Sequence, residues 1–446
     1  MEWLLDRFAS AATHRAFVHE GREVTYGDVV AKTRAYGDDL AARGVEAGQT
    51  VAVLGDYSPE VVCFLFALFR NGNIVVPMTR DAVIEEAVAL GLSGCDWFAE
   101  FSREGASMQF SARRVASDIA LLADFRRSRR PGLVLFSSGS TGEPKGILHD
   151  FTRIAEKFRK QRAPIVAIPF LMLDHFGGIN TILAILSSLG TAVTVGSRAI
   201  EPVCAAIARH RVQLLPATPS FLTMLLASNL HRKYDLSSLT RITYGTEVMP
   251  QATLDRLRAE FPGVELQQTY GLSEVGVLRT QSRPDGTLWM RMGGEGFETK
   301  VVDGILWIRS TYRMVGYLNA DSEFDEDGWF NTKDQVEVDG DYLKVLGRVT
   351  DIINVGGQKV YPAEVENVIL GVANVTDVVV CAEANALLGQ IVVAKVVLAH
   401  PEATADIKAR VRAACLARLA PFKVPAKVVV TSEALYSKRH KKVRTA

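Results

Sequence analysis

A stretch of hydroxyl-bearing residues, glycines and one lysine lies between Ser137 and Gly146. It follows the apolar run Leu133–Phe136, which predicts a short buried strand. Backbone N–H groups can approach phosphate oxygens where glycine has no Cβ atom, serine and threonine add donors, and Lys145 supplies a mobile positive charge. The spacing is not that of a Walker A loop, because Lys145 follows Pro144. The stretch therefore predicts a polyphosphate-binding loop, with an ordinary surface turn as the alternative.

Composition limits the classes of protein to which the chain can belong. Its 446 residues indicate two or three structural units, and 48% hydrophobic residues are enough for a sizeable core. A net charge of +1 gives no global field that favours nucleic acid or an anionic membrane. The five cysteines are far apart and lack metal-binding spacing, and no segment resembles a signal peptide or a membrane span. We expect a cytoplasmic protein that does not bind nucleic acid, and a homodimer is left open.

Alternating strands and helices predict the fold class. The order strand, helix, strand occurs three times, at 51–54, 59–69 and 73–77, at 165–168, 178–188 and 191–195, and at 239–244, 250–261 and 264–268. This α/β rhythm predicts a large N-terminal domain of parallel-rich sheets covered by helices. After about Val349 the pattern changes to short strands around a helix at 405–419, which predicts a small α+β domain. We therefore expect a large domain over 1–349 and a small mobile domain over 350–446.

The predicted sheets place the polar loops together. The stretch 137–146, the turn at Thr246-Glu247 and the turn at 270–274 each follow a predicted strand. In open parallel sheets, ligands bind beyond the carboxyl ends of the strands. We expect all three loops to lie along one edge.

The stretch 137–146 and the segment Tyr270-Gly271-Leu272-Ser273-Glu274 resemble, in order, two signature motifs of the adenylate-forming superfamily of acyl- and aryl-CoA synthetases, peptide-synthetase adenylation domains and luciferases. The resemblance implies that Tyr270 stacks near adenine, that Ser273 hydrogen-bonds phosphate and that Glu274 helps to hold Mg²⁺, a cation that prefers oxygen ligands. The ATP contacts implied by these two motifs and by an adenine loop between them are Ser137, Ser138, Gly139, Ser140, Thr141, Gly142, Lys145, Gly245, Thr246, Glu247, Tyr270, Gly271 and Ser273.

Two further motifs continue the resemblance. The segment 329–334 is similar to the family's Trp-Phe-x-Thr-Gly-Asp, which makes Asp334 the candidate for the ribose hydroxyls and places Lys333 where the family has glycine. A solvated acidic hairpin is the alternative. In the segment 347–353, the resemblance assigns Arg348 to ribose or phosphate and Thr350 to the hinge between the domains. The loop at Gly356 and Gly357 would line the pantetheine tunnel.

The basic tail is similar to the family's final motif, Leu-Pro, four residues, then Gly-Lys. With Leu435-Tyr436 on Leu-Pro, Lys442 takes the place of the catalytic lysine that bridges the carboxylate and the α-phosphate. Lys438 and Lys441 are the alternative lysines, and a solvated tail or a weak nucleic-acid patch is the alternative role.

The segment 169–178 indicates the class of acid. It resembles the family segment in which a histidine, here His175, flanks the acyl pocket, although a buried core histidine is the alternative. Phe176 stands where amino-acid-activating members carry the aspartate that pairs with the α-ammonium, and a buried ammonium needs a charged partner. The residues predicted to contact substrate or pantetheine are Phe176, Gly177, Gly178, Phe221, Gly356 and Gly357. We expect a small-molecule acid with an uncharged alkyl or aryl body.

Together the motifs predict an ATP-dependent, AMP-forming ligase. With Mg²⁺ bound, Lys442, Glu274 and His175 are the predicted catalytic residues, and the acyl group passes from its adenylate to CoA or to the phosphopantetheine of a separate carrier protein. A non-catalytic nucleotide-binding relative is a further alternative. A dinucleotide oxidoreductase is disfavoured, because no GxGxxG opens a helix after a strand.

Overall fold

The protein is described from a computed structural model. It describes residues 1–82, 84–138, 144–432, 435, 436 and 442, and every structural statement below concerns these residues. Within them no helix is both long and apolar enough to cross a membrane. The five cysteines are buried and unpaired.

The first part of the chain alternates helices with short, mostly buried strands. In chain order it contains α1 (Glu2–Ser10), β1 (Arg15–His19), β2 (Arg22–Thr25), α2 (Tyr26–Ala42), β3 (Thr50–Leu54), α3 (Pro59–Asn71), β4 (Ile74–Met78), α4 (Glu86–Ser93), β5 (Trp97–Phe101), β6 (Met108–Ala112), α5 (Ala120–Arg127), β7 (Gly132–Ser138), β8 (Pro144–Asp150) and α6 (Phe151–Glu156). It continues with β9 (Val166–Ala167), α7 (Phe176–Ser187), β10 (Thr191–Val193), α8 (Ile200–His210), β11 (Leu214–Ala217), α9 (Pro219–Ser228), a 3₁₀ turn (Leu230–Arg232), β12 (Arg241–Tyr244), α10 (Gln251–Glu260) and β13 (Glu265–Gln268).

These strands form two seven-stranded sheets. One has the order β13-β12-β11-β9-β10-β1-β2 and is parallel except for β2. The second contains β7, β4, β3 and β5 in parallel, with antiparallel strands at both ends. Local residues set both ends of helix α3. The Ser58 side chain caps its first turn, and Gly72, with a φ of 81°, ends it in a left-handed conformation. The α/β class predicted from the sequence is confirmed.

An antiparallel sheet, which the sequence analysis did not foresee, follows the parallel ones. This part contains β14 (Gly271–Leu272), β15 (Gly276–Val277), β16 (Arg279–Ser282), β17 (Met290–Gly293), β18 (Phe297–Val302), β19 (Ile305–Ser310), β20 (Gly316–Tyr317), β21 (Phe330–Asp339), β22 (Tyr342–Arg348) and a 3₁₀ turn (Val349–Asp351). The sheet order is β16-β17-β22-β21-β19-β18, while β20 leaves it and pairs with β8. The second parallel-rich sheet is thereby joined to the segment that follows β13.

The last part of the chain has a sheet and a hydrophobic core of its own. Its elements are β23 (Ile353–Val355), β24 (Gln358–Val360), α11 (Pro362–Leu370), β25 (Val375–Asn385), β26 (Gly389–Leu398), α12 (Thr404–Arg418), a 3₁₀ turn (Pro421–Lys423) and β27 (Lys427–Val430). The predicted boundary at 349/350 falls between β22 and β23. In chain order, β22 is the last strand of the antiparallel sheet and β23 is the first strand of the C-terminal sheet. The division into two domains with a hinge stays a prediction.

His149 is an unusual buried group in β8. The side chain is fully buried, its ring lies 5.1 Å from that of Phe176, and neither ring nitrogen has a hydrogen-bond partner among the described residues. Burial lowers the pKa of His149 from 6.5 to about 3, because the charged imidazolium would lose its hydration. The folded protein therefore holds this histidine neutral.

Acid should destabilise the protein through His149. Because the folded pKa lies below the unfolded one, the unfolded chain takes up a proton as the pH falls below about 6.5, and the folded chain does not until about 3. Between pH 7.5 and 5.5 the free energy of unfolding of the wild type should fall by about 1.4 kcal/mol more than that of His149→Met. Denaturant titrations at both pH values measure the difference, and the exposed His14→Gln serves as control. An equal loss in wild type and His149→Met would contradict the assignment.

Candidate functional site

The end of β7 and the start of β8 bring Lys145 to the edge of the second sheet. Ser137 pairs with Lys145 across the two strands, and Ser138 ends β7. The Lys145 ammonium lies 2.9 Å from Glu323 Oε1 and 4.7 Å from the centre of the Tyr317 ring. The predicted phosphate contacts Gly139, Ser140, Thr141 and Gly142 lie outside the described residues. Lys145 is thus the described cation of the predicted phosphate loop, and it is paired with a carboxylate that no motif indicated.

Glu323 also holds a second lysine. Its Oε2 atom is 3.0 Å from the Lys333 ammonium, so the carboxylate bridges Lys333 and Lys145. Burial acts to raise the pKa of Glu323, but the hydrogen bonds from the two lysines outweigh burial and lower it. Lys333 has a φ of 59°, in the left-handed region that glycine adopts readily. The lysine therefore occupies a glycine-type turn.

Glu274 is held by contacts with β20 and the residues just before it; β20 also pairs with β8. The Tyr317 hydroxyl donates to Glu274 Oε1 at 2.8 Å, and the main-chain oxygen of Glu274 accepts from Met314 N at 2.8 Å. Burial and the Glu274 carboxylate raise the pKa of Tyr317, so the phenol stays a donor at neutral pH. Because Tyr317 also lies beneath Lys145, the predicted phosphate-binding lysine and the predicted Mg²⁺ carboxylate are held on one aromatic side chain.

Glu274 fits the way in which proteins hold Mg²⁺. The ion is commonly anchored by one or two carboxylates and completed by substrate phosphates and water. In the described chain no group of three or more His, Cys, Asp or Glu side chains forms a cage for a metal ion. A single carboxylate, half-buried beside the predicted phosphate lysine, suits a cation that arrives with a nucleotide. The half-buried Ser273 precedes Glu274 in the same turn.

Tyr270 and Arg348 form a polar group around the buried carboxylate of Asp334. The Tyr270 hydroxyl donates to Asp334 Oδ2, and Arg348 Nε lies 3.4 Å from Asp334 Oδ1 across the β21–β22 pair. Asp334 is only 6% exposed, and burial raises the pKa of its carboxyl group despite the opposing effects of Arg348 and Tyr270. The structure thus brings together the residues predicted for adenine and ribose.

The predicted adenine loop follows β12. A Cβ atom on Gly245 would lie 2.3 Å from Thr269 Oγ1, so only glycine fits there, and Thr246 has a φ of 70°. Glu247 Oε2 accepts from the Ser220 hydroxyl. Thr269, just after β13, donates its N–H to Tyr244 O at 2.7 Å. The carboxyl ends of β12 and β13 therefore meet at one edge, as predicted.

The described part of the tail brings Lys442 to this loop, but with its main chain. Lys442 N donates to Glu247 Oε1 at 2.7 Å. The ammonium instead donates to Glu366 Oε2 and to Val378 O, both at 2.9 Å, and the side chain is only 9% exposed. The main chain of Lys442 is therefore next to the adenine loop, while its ammonium binds residues of α11 and β25 in the C-terminal part. The alternative lysines, Lys438 and Lys441, lie outside the described residues.

The segment around His175 is closely packed. His175 caps α7 and accepts from Gly177 N at 3.0 Å through Nδ1. A Cβ atom on Gly178 would lie 2.0 Å from Met172 O, which excludes any larger residue. Phe176 is 4% exposed, and a Cβ atom on Gly276, two residues beyond Glu274, would lie 3.7 Å from its ring. The predicted acyl-pocket segment is thus adjacent to the Glu274 turn.

Phe221, Thr350, Gly356 and Gly357 lie elsewhere. Phe221 is fully buried in a hydrophobic cluster, with its ring 4.6 Å from that of Phe170. Thr350 is exposed in the 3₁₀ turn after β22, and its hydroxyl donates to Asp351 Oδ1 at 3.3 Å. The two glycines form the exposed tip of the β23–β24 hairpin, with φ values of 56° and 85°. The structure does not bring these four residues into the group around Glu274.

The chain resembles known proteins over almost its entire length. The family model described as AMP-binding enzyme matches residues 5–93 and 120–318, and the model described as AMP-binding enzyme C-terminal domain matches residues 364–442. The chain is 27% identical to the indoleacetate–CoA ligase of Aromatoleum aromaticum, over 97% of this chain and 94% of that protein. It is 25% identical to the 2-succinylbenzoate–CoA ligase of Bacillus subtilis, over 96% and 93%. The solved structure of an anthranilate CoA ligase in complex with anthranoyl-AMP shares the fold, with a TM-score of 0.84, 20% identity and coverage of 98% and 94%.

The hydroxyl of Tyr270 should stabilise the protein through Asp334. Tyr270→Phe removes the donor and leaves a buried carboxylate with one hydrogen bond fewer, so the free energy of unfolding at neutral pH should fall by about 1–3 kcal/mol. Denaturant titration measures the change. Tyr342→Phe, which removes a hydroxyl from β22 of the same sheet, is the matched control. Equal effects of the two substitutions would show that the contact with Asp334 contributes nothing.

Proposed function

The chain belongs to the family of AMP-binding enzymes, and we propose that it is an ATP-dependent, AMP-forming acid–thiol ligase that makes a CoA thioester. The observation that carries the proposal is that Tyr317 contacts both Lys145 and Glu274. It thereby connects the cation of a phosphate loop with a carboxylate suited to Mg²⁺. The CoA ligases among the similar proteins support CoA as the acceptor. A homodimer and a cytoplasmic location stay predictions.

In the first half-reaction a carboxylate oxygen attacks the α-phosphorus of ATP. The bond from that phosphorus to the bridging oxygen breaks, and pyrophosphate leaves with the bonding electrons. Lys145 would stabilise charge on the phosphates, and Glu274 would hold Mg²⁺ through its carboxylate. When bound, Mg²⁺ neutralises charge that develops on the phosphoryl oxygens. Asp334, held by Tyr270 and Arg348, would accept hydrogen bonds from the ribose hydroxyls.

In the second half-reaction the sulfur of CoA attacks the acyl carbonyl carbon, and AMP leaves as the C–O bond to the phosphate breaks. We assign the catalytic role in the first half-reaction to Lys442, whose ammonium must then leave Glu366 and Val378 O to reach the phosphates. The ammonium must therefore separate from α11 and β25, and rotation of the C-terminal part about a hinge near Thr350 would change the distance between these elements and the nucleotide. The buried pair with Glu366 represents the state in which this lysine is withdrawn.

The acid has an uncharged body in this proposal. Phe176 is buried where an α-ammonium would need a carboxylate, and its neighbour His149 is held neutral by burial. Neither side chain carries the negative charge that a buried ammonium needs as a partner. The acids in the names of the two similar ligases, indoleacetate and 2-succinylbenzoate, are not α-amino acids, which supports an aryl or alkyl acid.

A pyrophosphate-exchange screen tests the function and the class of acid together. Alkyl and aryl acids should support exchange, and each α-amino acid should do so less well than its deaminated counterpart. Glu274→Gln should lower exchange about 10²-fold, because it removes one electrostatic stabiliser. Glu298→Gln, at an exposed position of β18, is the matched control and should not change it. A better rate with any amino acid than with its matched acid would overturn the pocket argument, and near-normal exchange by Glu274→Gln at saturating Mg²⁺ would overturn the metal assignment.

Separate measurement of the two half-reactions tests Lys442. Lys442→Ala should suppress formation of the acyl adenylate but largely retain thioester formation from preformed acyl adenylate, because the lysine acts only on the carboxylate and α-phosphate. Lys438→Ala and Lys441→Ala are the controls, and both should be much milder because the motif alignment places neither lysine at the carboxylate and α-phosphate. A selective adenylation defect in either control, but not in Lys442→Ala, would show that another lysine is catalytic. Equal loss of both half-reactions in all three variants would indicate a structural role for the tail.

A further inference from the structure

Glu323 and its two lysines form a cation–anion–cation group that the predicted motifs do not explain. Lys145 binds one carboxylate oxygen at 2.9 Å and Lys333 binds the other at 3.0 Å. The side chains of Lys145, Glu323 and Lys333 are 20%, 24% and 46% exposed. The three charges sum to +1, so the group keeps an excess of positive charge that solvent can reach.

The geometry of this group matches that of a bound phosphate. A carboxylate bridges two ammonium groups with two oxygens on one carbon, and a phosphoryl group can bridge them with two oxygens on one phosphorus. A di- or triphosphate carries more negative charge than one carboxylate, so it competes favourably for the same two cations. Glu323 therefore occupies the position of an anionic ligand.

The surroundings indicate which anion would replace it. Lys145 belongs to the predicted phosphate loop and lies over Tyr317, whose hydroxyl donates to Glu274. Lys333 directly precedes Asp334, the residue proposed for the ribose. A nucleotide with its ribose at Asp334 and its phosphates at Lys145 would pass beside Lys333.

We propose that Lys333 is a second cation for the β- and γ-phosphates of ATP, and that Glu323 holds both lysines until the polyphosphate displaces it. This inference rests on the proposed function, because it concerns the same nucleotide. The lysine adds a charge at a position where the resembled motif has glycine, and its left-handed backbone leaves the turn unchanged. The residue acts on groups that ATP and pyrophosphate have and AMP lacks.

Nucleotide affinities measured by titration calorimetry, with Mg²⁺ and without acid substrate, test the proposal. Lys333→Gly, which suits the positive φ, and Lys333→Met should each weaken ATP binding about tenfold, the scale of a hydrogen bond to a charged group. AMP binding should stay unchanged, and Lys333→Arg should retain most of the ATP affinity. Lys344→Met, which removes a lysine paired with Glu337 on the neighbouring strand, is the matched control and should leave both affinities unchanged.

Glu323→Gln tests the displaced anion. It removes the competing charge, so ATP and pyrophosphate should bind several-fold more tightly, again with AMP unchanged. Unchanged or weaker ATP binding by this variant would overturn the role of Glu323. An ATP-to-AMP affinity ratio that stays at the wild-type value in Lys333→Gly and Lys333→Met would overturn the role of Lys333 and leave the proposed function standing. A wild-type protein that binds neither nucleotide would overturn the proposed function itself.

Discussion

The hydrogen bond from Tyr317 to Glu274 is the interaction on which the arrangement of the site depends. Tyr317 lies on β20, which pairs with β8, whereas Glu274 lies in a turn that follows the other parallel sheet. The bond therefore sets the position of one sheet edge relative to the other. Because the Tyr317 ring also lies beneath Lys145, the same side chain fixes the distance between a cation and a carboxylate that serve one polyphosphate. The main-chain hydrogen bond from Met314 N to Glu274 O and the pairing of β20 with β8 support the same connection.

Much of the fold could be predicted because its pattern is local. Helix α3 carries its own cap and stop signals, and the predicted strand at 51–54 became β3 (Thr50–Leu54). The antiparallel sheet was missed, although β19 alternates buried and half-buried residues along its length. Short turns join β18 to β19 and β21 to β22, but β17 pairs with the distant β22, and β20 pairs with β8 instead of its sequence neighbours. Pairing of this kind is decided by tertiary packing, which hydrophobic periodicity does not report.

The site was predictable where it coincided with motifs and unpredictable where it depended on distant pairs. Asp334 and Arg348 were named from sequence, and the structure pairs them across β21 and β22. Glu323 contacts Lys145 across 178 positions, and Glu366 contacts Lys442 across 76. A single acidic residue in a loop, or on one face of a helix, gives no periodic signal. Lys333 was visible in the sequence as a lysine in place of glycine, but its partner could be found only in three dimensions.

Lys442 connects two parts of the molecule through a single residue. Its main-chain nitrogen is bound to Glu247 beside the adenine loop, while its ammonium is bound to Glu366 on α11 and to Val378 O on β25 of the C-terminal sheet. Any displacement of that sheet relative to the loop must therefore break one bond or the other. If the bond to Glu247 breaks first, the tail moves with the C-terminal part. If the ammonium leaves Glu366 first, the tail stays beside the adenine loop. The free energy needed to break these bonds is thus set by Lys442 and its partners, and it does not depend on which acid the protein binds.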